Sequence, residues 1–139
     1  MSYDLAVFDP VAAPLEKEAF LDWFNNITEW TEDRDYNDTQ GLAPVLMAWF
    51  RDMAKEFPPL NGPHATTDDD DVRASDYSID ESLIYIAFSW SATEPAYEAA
   101  FRLAAKYGVG FFDVSSQDGK VWVPESPGKL KVAFTTSSG

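Results

Sequence analysis

Eight consecutive residues, Leu83 to Trp90 (LIYIAFSW), are apolar nearly throughout, and a turn at Asp80-Glu81-Ser82 precedes them. A run of that length and composition fits a strand at the centre of a sheet. The rest of the chain must supply neighbours for it. Tyr3 to Phe8 (YDLAVF) alternates, with Tyr3, Leu5 and Val7 on one side and Asp4, Ala6 and Phe8 on the other, and Asp9-Pro10 ends it. A short strand around Tyr77-Ser78-Ile79 precedes the central run. Val109 to Val114 and Lys120 to Val123 read as strands joined by a turn whose Asp118-Gly119 pair is a strong hairpin signal, and Pro124 closes that hairpin. Lys129 to Thr135 (KLKVAFT) alternates again, placing Leu130, Val132 and Phe134 on one side as a further edge strand.

Helical periods fill the intervals. From Leu15 to Trp30, Phe20, Phe24 and Ile27 recur at four- and three-residue spacing, Trp23 and Trp30 widen the stripe, and Glu16, Glu18, Asp22 and Asn26 face away. Pro14 marks the start. A second helix carries Leu42, Leu46, Trp49, Phe50, Met53 and Phe57 on one side; Asp38 or Thr39 is placed to cap it, and Pro58-Pro59 stops it. Thr93-Glu94-Pro95 opens a third helix with cap, acid and proline, Tyr97, Ala100, Phe101 and Ala104 form its inner face, and Gly108 ends it. The expectation is an α+β fold: a mixed or antiparallel sheet with helices on one face, in a ferredoxin-like split βαβ arrangement with an extra helix and a C-terminal hairpin. One domain spans residues 1–124, and 125–139 form a C-terminal extension.

Function classes fall away on composition. The 139 residues contain no cysteine and one histidine, His64, which excludes disulfides, cysteine-ligated metals, thiol nucleophiles and any site needing two imidazoles. His64 lies between Pro63 and Ala65 with no nucleophile pattern near it and reads as an exposed loop histidine. Asp68-Asp69-Asp70-Asp71 lacks the alternating acids, central glycine and distant glutamate of a calcium loop, so it reads as a solvated acidic run. The glycines are scattered and Gly108-Val109-Gly110 follows a helix, so no phosphate cradle is present. The Trp and Phe residues fall at helix or strand periods and read as core. Neither a cofactor nor a metal is expected, and no catalytic constellation emerges. The opening residues lack the positive charge and apolar run of a signal peptide, and no stretch is long and apolar enough to cross a membrane, so a cytoplasmic location is expected.

Charge is the feature that remains. The net charge is −14, which argues against direct contact with nucleic acid or an anionic membrane. Residues 29–38 and 68–81 together hold twelve acids against Arg34 and Arg73, a net −10 of that −14, in stretches read mostly as loops. Residues 101–139 carry five bases and three acids. Acidic loops keep a protein soluble, and they also steer and hold a basic protein partner. The candidate partner-binding residues are Glu32, Asp33, Asp35, Tyr36 and Asp38, followed by Asp68, Asp69, Asp70, Asp71 and Asp76.

The opening Tyr3-Asp4-Leu5-Ala6-Val7-Phe8 resembles the YDLAVW start of a group of small acidic bacterial proteins, with Phe8 where tryptophan is usual. Ala104 to Pro124 (AAKYGVGFFDVSSQDGKVWVP) is similar to that group's closing pattern, and Asp68–Ser91 to its acidic middle before an apolar strand. Members of the group lie beside secreted or contact-delivered toxins, as in type VI secretion and other polymorphic toxin systems. The resemblance implies an immunity protein that neutralises a cognate toxin by binding it. It implies no catalytic residues. An adaptor or chaperone for a secreted effector is the alternative; a carboxylate-based enzyme acting on a small molecule would require paired acids in a deep cleft.

Overall fold

The structure, a computed structural model, describes residues 2–29, 39, 41–60 and 73–136. Its elements in chain order are β1 (Ser2–Phe8), α1 (Lys17–Ile27), α2 (Pro44–Glu56), β2 (Asp76–Ile79), β3 (Leu83–Ser89), a 3₁₀ turn (Trp90–Ala92), α3 (Thr93–Tyr107), β4 (Gly110–Phe112), β5 (Lys120–Ser126) and β6 (Lys129–Thr135). The six strands form one antiparallel sheet in the order β2-β3-β1-β4-β5-β6, an α+β architecture. β1 holds the centre, with seven rungs to β3 from Ser2–Ser89 to Phe8–Leu83 and three to β4.

Both faces of the sheet are covered. Leu5, Val7, Ile84, Ile86, Phe88 and Phe111 pack against Leu46, Trp49, Phe50 and Met53 of α2 and Ala96, Ala100 and Leu103 of α3. Ala6, Phe8, Phe112, Val121 and Val123 pack against Phe20 and Phe24 of α1. Helices therefore lie on both faces, where the sequence led us to expect one. The cause is β1 itself: its alternation is apolar on both sides, so Phe8 and Ala6 need a cover as much as Leu5 and Val7 do. Phe20 supplies it, lying 5.2 Å from Phe8, 5.4 Å from Phe112 and 5.4 Å from Phe134 between ring centroids. Such edge and tilted contacts add roughly 0.5–1.5 kcal/mol per pair beyond burial.

The helix boundaries follow caps that periodicity does not reveal. α1 starts two residues later than expected, because the Glu16 carboxylate accepts from the backbone N–H of Glu18 and Ala19. α2 starts at Pro44 without a side-chain cap: Thr39 instead offers its carbonyl to Leu42 N–H, and Asp38 lies outside the described residues. Thr93 does not cap α3; it is the helix's first residue, and its hydroxyl donates to the Trp90 carbonyl at 2.8 Å. Gly108 ends α3 in the left-handed region at φ 71°.

The C-terminal strands also differ from the expectation. β5 runs through Pro124 to Ser126, so a division at residue 124 falls within a strand. β6 closes the sheet, and register shifts at Val121/Trp122 and Pro124/Ser126 break its alternation. As a result Leu130 packs on the α2–α3 side, Phe134 packs on the α1 side, and Val132 stays 42% exposed instead of sharing one face with them.

Gly110 marks the tightest point of the sheet. A Cβ there would overlap the ring of Phe8, which lies across it. Gly110→Ala should therefore destabilise the protein by about 2 kcal/mol. Because the clash is with one ring, Gly110→Ala combined with Phe8→Leu should lose less than the sum of the two single changes in urea unfolding. Strictly additive losses would contradict this packing.

Candidate partner-binding surface

The acidic surface is built from the outward residues of this scaffold. Among the described residues every acidic side chain except Asp113 is at least partly exposed. The two helical faces handle charge differently. On the α2–α3 face, Arg102 pairs with Glu56 at 3.0 Å and with Glu98 at 3.5 Å, and Asp52 pairs with Lys106 at 3.5 Å and Lys55 at 3.6 Å. The Tyr107 hydroxyl also donates to Asp52, and that bond is the main reason its carboxyl is held below the ordinary range. Acid and base largely cancel there. On α1 and just beyond its ends, Glu16, Glu18, Asp22 and Glu29 are exposed and hold no ion pair among the described residues.

The sheet face that α1 shares extends this acidic surface. Residues paired across antiparallel strands project to the same side, so Asp76, Ala87 and Asp4 form one row across β2, β3 and β1. Neighbouring strands lie about 4.8 Å apart, which puts the two aspartates roughly 10 Å apart. The next row is Ser78, Tyr85 and Ala6. The Tyr85 hydroxyl donates to Asp4 Oδ2 at 2.6 Å; burial first, and then that carboxylate, push its pKa up. α1 crosses this face with Phe20 against Phe8, Phe112 and Phe134 and Phe24 against Phe112 and Tyr85, so it shares the side of the sheet on which the Asp4 row lies.

Of the residues singled out from the sequence, Asp76 is described: it opens β2, is exposed, and joins Asp4 in this row. Glu32, Asp33, Asp35, Tyr36, Asp38, Asp68, Asp69, Asp70, Asp71 and His64 lie outside the described residues. The anchors of residues 61–72 are described. Leu60 N–H donates to the Ser75 carbonyl and Ser75 N–H to the Pro58 carbonyl, both at 2.9 Å, so the two ends meet beside Asp76.

Two features at this end of the sheet are not foreshadowed by the sequence. Asp113, just past β4, is 8% exposed and accepts from the Tyr3 hydroxyl, tying β1 to β4, with Tyr97 of α3 packed against Tyr3. Among the described tryptophans Trp90 is the exception to the core reading, at 57% exposure. Its flanking Ser89, Ser91 and Thr93 are the one sequence signal for that. A cleft of about 470 Å³ at the opposite end is lined by Asp9, Asp80 and Glu81 with Gly41 and Ala43. Among the described residues no group of three or more acidic or histidine side chains is arranged to hold a metal ion, and no helix is long and apolar enough to cross a membrane. No protein family, curated protein or solved structure matches the chain.

Burial raises the Asp113 pKa above the ordinary 3.8, outweighing the Tyr3, Ser116 and Tyr97 hydrogen bonds that lower it. The folded state thus holds this proton more tightly than the unfolded state does. The resulting stabilisation is complete below the unfolded value and is lost as pH rises through the folded one. In urea unfolding, the stability of the wild type relative to Asp113→Asn should fall from about pH 4 upward through the acidic range and then level off. A difference that rises with pH would contradict the dominance of burial.

Proposed function

We propose that this chain is a cytoplasmic immunity protein that binds and neutralises a cognate bacterial toxin through its acidic surface, without chemistry of its own. The supporting observation is the division of charge: carboxylates crowd the α1 side and the open rows of the sheet, while the α2–α3 side cancels its own charges. A partner with a cationic surface gains by approaching from the first side. The resemblance of YDLAVF and of the Ala104–Pro124 block to small acidic proteins encoded beside toxins points the same way.

In mechanism, the negative field raises the rate of encounter, and contacts that exclude water set the lifetime of the complex. A toxin acting on nucleic acid or nucleotides has a cationic site of its own, and carboxylates seated there take the place of phosphates. The filled core beneath keeps the display rigid, so little ordering entropy opposes association.

Co-expression with the toxin encoded by the adjacent gene tests the reading. Cells should survive and the two proteins should co-purify. Co-purification without survival would indicate an adaptor or chaperone, and neither result would refute binding altogether. In the purified pair, Asp33→Lys with Asp35→Lys should slow association about tenfold at low salt and flatten its dependence on ionic strength. An unchanged association rate would remove these two residues from the interface.

A further inference from the structure

Trp90 is an exposed aromatic on a prepared mount. The strand β3 stops at Ser89, and the 3₁₀ turn swings the indole out of the core. Thr93 Oγ1 donates to the Trp90 carbonyl at 2.8 Å, and the Ser89 and Ser91 hydroxyls lie 3.0 Å apart beneath it. Tyr3 buttresses the indole at 6.1 Å between ring centroids, and Tyr97 backs Tyr3 at 6.4 Å. The Tyr3 hydroxyl is itself fixed on Asp113. Beside the indole opens a cleft of about 400 Å³, lined by Trp90, Ser91, Thr93, Glu94 and Pro95. Glu94 is exposed and lies in the first turn of α3, where its full charge outweighs the roughly half-unit positive end of the helix.

An indole beside a carboxylate, on a chain of net charge −14, is matched by a planar cation. Arginine stacks on an aromatic face and reaches a carboxylate with two parallel N–H groups, whereas lysine offers a point charge only. We infer that the Trp90–Glu94 cleft is the anchor for an arginine side chain of a basic protein partner. This rests on the binding reading above and deepens it: the acidic face governs approach, and this cleft governs residence. Tryptophan and arginine are the residues that most often dominate interface energetics, and a pre-oriented ring loses little entropy on binding.

The test uses nona-arginine and nona-lysine as probes of the full chain. In nitrogen-15 spectra, Trp90→Phe identifies which indole N–H signal belongs to Trp90. Nona-arginine should shift that signal, and Trp90→Ala and Glu94→Gln should each weaken its binding about tenfold while weakening nona-lysine less. Binding of both peptides should fall with added salt. A Trp90 signal that stays still while nona-arginine binds, or equal affinity in Trp90→Ala, overturns the anchor and leaves the acidic-surface reading standing. Failure of both peptides to bind the wild type at low salt overturns the anchor and the acidic-surface reading together. Circular dichroism of the variants confirms their fold, since both side chains are exposed.

Discussion

β1 is the constraint on which the remaining structure depends. Leu5, Ala6, Val7 and Phe8 are all fully buried, so the strand is enclosed on both faces as well as paired along both edges. A strand in that position gives no side chain to the solvent along half its length. Every other layer exists to cover it: α2 and α3 over Leu5 and Val7, and α1 over Ala6 and Phe8. Gly110 is a further consequence, since the ring of Phe8 occupies the space any side chain there would need.

With the interior filled, the polar residues are left to the outside, and their distribution is uneven. The α2–α3 surface carries arginine and lysine at positions where they meet Glu56, Glu98 and Asp52. α1 carries Glu18 and Asp22, which hold no ion pair among the described residues, and the same side of the sheet carries Asp4 and Asp76. Like charges displayed side by side cost stability, so a rigid, well-packed scaffold is the physical condition for holding them together. The same scaffold turns Trp90 outward at the end of β3, against Tyr3 and beside the first turn of α3.

Much of the fold was legible in the sequence because periodicity reports burial directly. Leu46, Trp49, Phe50 and Met53 mark the buried face of α2, and the run from Leu83 marks a strand with covers on both sides. Periodicity does not report which side of a sheet a helix takes; that depends on how β1 divides its own apolar residues. Nor does it register an inserted residue in a ladder, which is why the alternation Leu130-Val132-Phe134 splits between two faces. The candidate surface was legible as charge, with Asp76 placed beside Asp4 only by strand pairing. Asp113 and Trp90 depend on tertiary neighbours: three tyrosine and serine hydroxyls around one, a single turn after β3 for the other.

The central claim is that binding uses the acidic face that α1 shares and not the ion-paired surface of α2 and α3. Backbone hydrogen exchange of the chain, alone and in complex with the cognate toxin proposed for it, measures that most directly. Protection should appear along α1, at the start of β2, and around the turn after β3 with the first turn of α3, while the ion-paired stretches of α2 and α3 around Asp52, Glu56 and Arg102 stay unchanged. A footprint confined to the ion-paired surface of α2 and α3 would contradict it.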